Sequence, residues 1–586
     1  MGAGQITSVQ LVQFYLDRIA AYDGVVNAVL YVNPRAVDEA RALDEERRRG
    51  RTRGPLHGIP ILLKDNFDTK DMPTTGGCLA LAGIVPKDDA FQVKKLRDAG
   101  AVLLGKVNLH ELALGLTTVS SLGGQTHDAY DLTRAPGGSS GGSAVAATMN
   151  FAAATLGTDT SGSIRIPSSH NNVVGLRPSF GLSSRAGIIP FGHTQDTGGP
   201  IARTVEDVAM LLDATVGFDP NDETTAAGRG RIPKTYTAFL KRSALKGARI
   251  GVLVENFGTA PEDREVGDVV RRALDEMKAR GATLIDVAVL DLAAQLQASN
   301  LLTQELKFYL GEYLKKSGGP VVSVEDLLAS GLYVAQLEGI LNLAANARDD
   351  YLSSDDYRRR LAARDALASA VATAMDAARV DALAYPVTRR IAPIIGGNQQ
   401  GTNAGLSAQT GFPAMSVPAG FTAGGFPVGM ELLGRRFAEP TLIAIAYSFE
   451  QATRHRIAPS PGDSKRVAPQ ERGAPRSGFQ VVATGAGINA IARFDFDNAS
   501  RALEFDITLS APSPEAVGGV YLHRRTTRPN GGVTQILTKQ AQPQMRGVVM
   551  LTAQEAADLK AGKLYLSIVS RRNPRLSARA DLALPS

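Results

Sequence analysis

Two serine-rich stretches and one lysine carry the residue types needed for hydrolysis. "GGSSGGSA" occupies residues 137–144 and "GTDTSGSIRIP" residues 157–167, so Ser163 follows Ser139 by 24 positions. A serine hydroxyl becomes a useful nucleophile when a base takes its proton and donors hold the developing oxyanion. The candidate base is Lys64, which ends the apolar run "IPILL" in "HGIPILLKDNFD". A lysine closing a buried strand either finds partners or loses its proton. At an ordinary pKa near 10.4, only about one lysine in a thousand is neutral around pH 7.4, whereas a value of about 7–8 makes a working general base. The competing reading is a buried ion pair of Lys64 with Asp65 or Asp68.

Other readings of these stretches are weaker. Gly/Ser runs are commonly linkers. Here, though, the first continues into the small apolar segment "AVAATMNFAAATLGT" and the second into "SIRIPSS", at what reads as a helix start. A phosphate loop needs a Gly-Lys-Ser/Thr ending, which is missing. "GGSSG" at 137–141 satisfies G-x-S-x-G, and this leaves an α/β-hydrolase-like esterase open, with Ser139 as nucleophile and the late His455 as base. Ser243 and Lys246 form an S-x-x-K in an exposed-looking basic stretch and read as a chance match. Cys78 is the single cysteine and the seven histidines are scattered, so disulfides, cysteine metal cages and zinc-enzyme motifs are not expected.

The elements that must position these residues follow from pattern. A chain of 586 residues exceeds one ordinary core, and its 44% hydrophobic and 21% charged residues are those of a globular protein. Thr7 and Gln10 predict a capping box ahead of a helix with Leu11, Val12, Tyr15, Leu16 and Ile19 on one face. "AVLLGKVN" (101–108) and "ARIGVLVE" (248–255) read as buried strands of a mixed or largely parallel sheet, and 295–380 as mostly helical. Residues 1–460 are thus one large α/β domain with a mixed central sheet covered by helices. Residues 461–477 are a linker by composition, and 478–586 a small all-β domain of short runs from "ARFDFD" to "ARADLAL". The basic surplus sits in the tail: residues 465–586 hold seventeen Lys/Arg against nine Asp/Glu. No interleaved aromatics accompany it, so nucleic acid is not an expected partner, and no apolar run is long enough to cross a membrane.

"GPLHGIPILLKDNFDTKDMPTTGG", "APGGSSGGSA" and "GTDTSGSIRIPSS" together resemble the amidase signature family of serine hydrolases, a likeness that continues to about residue 455 through "GFPAMSVPAGF" and "GFPVGMELLG". The resemblance implies a Ser–cis-Ser–Lys triad. Ser163 would be the nucleophile, Ser139 the bridging serine with a cis bond before it, and Lys64 the base. It implies amide C–N hydrolysis through an acyl-enzyme, with no cofactor and no metal. Backbone N–H groups of Thr160, Ser161, Gly162 and Ser163 would then form the oxyanion hole. Ser161 stands where most family members carry glycine, which bears on the geometry of that hole. Asp159 and Arg165 are expected to brace the loop.

The variable region at about 295–410 is aromatic and aliphatic, which points to an uncharged small amide, anilide, carbamate or capped peptide. Two further alternatives stay open: a glutamine amidase of a tRNA-amidating assembly and a catalytically silent binding protein. "GVYLHRR", "MLTAQEAADLKAGKLYLSIVS" and the closing "ARADLAL" together resemble a CHRD-type β module, with His523 the one histidine left there. That resemblance favours an extracytoplasmic location.

Overall fold

The computed structural model describes residues 1–459, 476–510, 516–526, 530–539, 541–571, 574 and 577–584. The large domain is built on one eleven-stranded sheet. Its spatial order is Val29–Val32, Val102–Val107, Pro60–Lys64, Ala154–Asp159, Thr197–Ala202, Val174–Arg177, Ala414–Phe421, Pro427–Leu433, Ala382–Pro386, Arg249–Leu253 and Thr283–Val287. Pro60–Lys64 runs parallel to both neighbours, Val102–Val107 and Ala154–Asp159, and the last three strands are parallel to one another. The remaining pairings are antiparallel, so the sheet is mixed, as expected.

The three parallel strands nearest Lys64 are buried along their whole length, which requires cover on both faces. The side-chain alternation of a strand sorts that cover. Leu62, Val102 and Leu104 pack with Val12, Tyr15 and Ile19 of the helix Ser8–Val26, while Ile61, Leu63 and Leu103 pack with Val208, Leu211 and Leu212 on the other side. The Thr7–Gln10 capping box starts that first helix as anticipated. Leu11 and Leu16, however, lie at the margin of its buried stripe. Helices Leu292–Ala298, Leu302–Ser317, Val324–Ser330, Glu338–Ala345 and Asp355–Ala377 fill the segment read as helical.

Among the described residues the C-terminal segment forms a separate eight-stranded antiparallel sheet, and the short runs read from the sequence, from "ARFDFD" to "ARADLAL", lie on its strands. Arg476–Gly485 is an eighth strand, hidden in the sequence because the Pro/Gly/Ser-rich composition runs directly into it. The linker expected over 461–477 lies outside the described residues, apart from 476 and 477, which open that strand. A helix, Ala553–Lys560, breaks the all-β pattern. It starts at a Thr552–Glu555 capping box and buries Ala556 and Leu559 under the sheet. The module docks on the helical segment of the large domain: Tyr521, Val533 and Val569 share one core with Leu328, Tyr333 and Leu337. Among the described residues no helix is long and apolar enough to cross a membrane.

Candidate active site

Lys64 closes the strand Pro60–Lys64 at the edge where the parallel strands end and is fully buried. Its Nζ lies 2.7 Å from Ser139 Oγ and 2.7 Å from Thr158 Oγ1. Asn66 Nδ2 donates to the same Thr158 hydroxyl at 2.9 Å. Burial pushes the Lys64 amine down to about 7, although the charges of Asp159 and Asp196 pull the other way. The ion-pair alternative is not what forms. Asp65 pairs instead with Lys106 from the neighbouring strand (3.1 Å), and Asp68 accepts the Tyr313 hydroxyl (2.7 Å). The Asp65 carboxylate also accepts the N–H (3.2 Å) and the hydroxyl of Thr75, so the carboxylate beside Lys64 is already satisfied.

The Ser139 loop is held through its backbone. The Gly138–Ser139 peptide is cis. His110 N–H donates to Ser139 O at 2.9 Å, and the Thr118 hydroxyl donates to Gly137 O at 2.7 Å. The buried helix Gly141–Thr148 then carries the chain into the core. Ser140 N–H donates to Ser163 O at 3.1 Å, which ties the two serine loops together. Ser163 is 3% exposed, and its hydroxyl makes no hydrogen bond among the described residues.

The loop bearing Ser163 is organised around Asp159. Its carboxylate accepts the N–H groups of Gly162 (2.7 Å) and Ile164 (3.1 Å) and faces two buried guanidiniums, Arg165 and Arg177. Burial opposes ionisation of Asp159, but the two arginines outweigh it and hold the carboxyl well below its usual range. Arg165 reaches on to Glu431 (2.6 Å), which in turn accepts the Tyr385 hydroxyl (2.9 Å). One expected oxyanion donor is therefore corrected: the Gly162 N–H is spent on Asp159. The N–H groups of Thr160, Ser161 and Ser163 have no protein acceptor among the described residues. Thr160 is fixed by its hydroxyl to Asp196, and its carbonyl accepts Gln195 Nε2 (2.9 Å). Ser161 stays outside the left-handed region, so the position does not need glycine. Gly162 does: its φ is +105°, and a Cβ there would lie 2.4 Å from the Cβ of Ala404.

His455 is not joined to Ser139. Its Nε2 pairs with Glu276 (2.6 Å) and its ring leans on Phe449, which removes the geometry an α/β-hydrolase-like esterase needs. Cys78 is buried, its thiol pushed well up by burial, and it donates to Leu332 O. His523 is buried in the module between Gly531 O and Ser567 Oγ, and among the described residues no group of three or more His, Cys, Asp or Glu could hold a metal ion. Sequence reasoning does not single out Thr158, Asn66, Lys106 or Arg177. Only Thr158 has a local signal, its place in "GTDTSG" one residue before the bracing Asp159. A cleft of about 820 Å³ opens between the helix Leu302–Ser317 and the segments 84–94 and 185–196, with Asp68, Arg185, His193, Asp196, Tyr309 and Tyr313 in its wall.

The Amidase family model matches residues 10–443. The chain is 37% identical to a probable amidase of Arabidopsis thaliana over 77% of its own length and 87% of that protein. It is also 37% identical to a glutamyl-tRNA(Gln) amidotransferase component of Moorella thermoacetica, over 78% and 96%. Among solved structures, the native peptide amidase from Stenotrophomonas maltophilia superposes with a TM-score of 0.73 at 40% identity, covering 78% of this chain and 96% of that one. With its fold, its paired serine loops and a match spanning most of the chain, this protein belongs to the amidase (amidase signature) family.

Proposed function

We propose that this protein hydrolyses the C–N bond of a neutral amide through an acyl-enzyme on Ser163. Ser139 relays the proton and Lys64 is the base. As Ser163 Oγ attacks the carbonyl carbon, its proton passes to Ser139 Oγ, and the proton of Ser139 passes to Lys64 Nζ. The C–N bond then breaks as the same relay returns a proton to the leaving nitrogen, which departs poorly without one. Water attacks the acyl-enzyme by the same route and releases Ser163. The observation that carries this reading is the buried Lys64 amine, lowered to about 7 and 2.7 Å from Ser139 Oγ with no carboxylate bonded to it. The N–H groups of Thr160, Ser161 and Ser163 are the oxyanion donors in this scheme, each worth about 2.7–4 kcal/mol.

The cleft beside Asp196 is the proposed route for substrate. Its wall carries both signs of charge and the stacked His193–Tyr309 pair (4.5 Å), which suits a polar but neutral carrier such as a capped peptide amide. Anilides and carbamates belong in the same screen. The second reading, glutamine amidation within a tRNA-linked assembly, rests on the likeness to the Moorella amidotransferase, and ammonia release from free glutamine tests it. The CHRD-like identity of the C-terminal sheet remains a proposal resting on its sequence alone.

The deciding experiment is intact-protein mass after exposure to a small sulfonyl fluoride. One adduct on the wild type and none on Ser163→Ala supports the assignment. An adduct that persists on Ser163→Ala moves the nucleophile elsewhere. No adduct on either protein, together with no turnover of any amide in the screen, favours the silent binding protein.

A further inference from the structure

Glu111 is fully buried and stands outside the Lys64–Ser139–Ser163 set. Its carboxylate accepts the N–H groups of Ser121 (2.7 Å) and Val334 (3.1 Å). It opens a tight turn in which Leu112 and Ala113 both take positive φ, +52° and +62°. Non-glycine residues keep that conformation only where their surroundings enforce it. The turn is also pinned by the Leu112 N–H to Gly76 O (2.7 Å) and the Ala113 N–H to His110 O (2.8 Å). The residue just before Glu111 is His110, whose N–H holds the Ser139 carbonyl at 2.9 Å.

The other end of this connection lies in the docked module. Val334 pairs in parallel with Val533, whose N–H donates to Tyr333 O at 2.7 Å. The Asn530 side chain donates to Ala329 O (3.0 Å) on the same side. The family match ends at residue 443, so the part that docks here lies outside that match.

We propose that Glu111 is a positioning residue through which docking of the C-terminal module on Tyr333 and Val334 sets the Ser139 loop. This rests on the reading of Ser139 as the relay serine. One buried carboxylate joins Val334, against which the module's Val533 docks, to the turn that grips the Ser139 carbonyl, so loosening the dock frees Val334 and relaxes that turn. Burial pushes the Glu111 carboxyl up to about 7. A neutral glutamine therefore keeps its shape and an acceptor oxygen.

The test uses the full-length protein with Glu111→Ala, Glu111→Gln and Gly532→Val. A Cβ at Gly532 would lie 2.6 Å from Ala335 Cα and 3.0 Å from Tyr333 O, so this variant opens the dock without altering the large domain. The readouts are amide hydrogen exchange in peptides covering 108–121 and 137–141, and the rate of sulfonyl fluoride labelling at Ser163. For Glu111→Ala and Gly532→Val we expect exchange in both peptides to rise about tenfold while helix Arg264–Ala279 is unchanged. Labelling should slow about tenfold, the size expected for a small misplacement of catalytic groups. Glu111→Gln should stay within about twofold of wild type. Unchanged exchange and labelling in Gly532→Val would overturn the proposal, as would Glu111→Gln behaving like Glu111→Ala. If Glu111→Ala does not fold, Gly532→Val and Glu111→Gln decide. If wild type is neither labelled at Ser163 nor active on any amide in the screen, the catalytic reading has failed, and hydrogen exchange alone decides the coupling.

Discussion

If Lys64 is the base, kcat/KM for a neutral amide must rise as Lys64 loses its proton. With its amine near 7, the neutral fraction goes from about 9% at pH 6 to about 91% at pH 8, so kcat/KM should climb about tenfold and then level off. A lysine left at its ordinary value of 10.5 would be neutral in only about 0.03% of molecules at pH 7, and the rate would still be rising at pH 9. Burial thus raises the working population at neutrality by about a thousandfold, equivalent to between 4 and 5 kcal/mol as an order of magnitude. The assay is initial rate against pH from 5.5 to 9.5 at substrate well below KM, repeated at two temperatures. Amine ionisation is endothermic, so the midpoint should fall on warming. A midpoint set by Glu111 or Asp128, carboxyls that burial also lifts to about 7, should scarcely move. A flat profile between pH 6 and 8, or one that rises only above pH 9, would refute the argument. The same shift has a stability consequence of fixed sign. Because the folded value lies below the unfolded one, the unfolded chain binds more protons between about 7 and 10.5. The cost of burying Lys64 is therefore fully present below about pH 7 and fades as pH rises. Lys64→Met should be inactive, and its stability relative to wild type, measured by urea unfolding, should be greatest at pH 6 and decline towards pH 9.

Other outcomes are expected from the same geometry. Ser163→Ala should lower kcat by about 10⁴-fold or more with an unchanged unfolding midpoint, which steady-state kinetics and a thermal scan check together. Ser139→Ala should retain the fold but lose sulfonyl fluoride labelling at Ser163, because the path from Lys64 to the nucleophile is cut. Gly162→Ala should abolish activity and lower the thermal midpoint, since the new Cβ meets Ala404 and φ is +105°. Asp159→Ala should cost about 3–5 kcal/mol in urea unfolding, because it leaves Arg165 and Arg177 buried with one counter-charge fewer.

Local pattern carried much of the fold and the outline of the site. The Thr7–Gln10 capping box, the apolar run that ends at Lys64 and the helical segment of 295–380 depend on neighbours within one or two turns, so they are legible along the chain. The strand Arg476–Gly485 was not, because its alternating Phe479, Val481 and Ala483 follow directly on linker-like composition. The four donors expected around the oxyanion illustrate the limit within the site. Spacing brings Thr160, Ser161, Gly162 and Ser163 together, but only the folded loop shows the Gly162 N–H turned to Asp159.

The sequence by itself, through the likeness of its three ordered motifs to the amidase signature family, led to the expectation that two serine loops and a strand-end lysine belong to one site. Tertiary structure alone decided which charges meet. Asp65, next to Lys64 in sequence, takes Lys106 from the adjacent strand, 41 positions away. That pairing leaves Lys64 to two hydroxyls and a low pKa. The link from Val533 through Val334 and Glu111 to the Ser139 loop is likewise invisible along the chain. The physical reason is common to both. A buried charge or N–H must find a partner, and the partner is chosen by what strand register and domain docking bring within about 3 Å, whatever its distance in sequence.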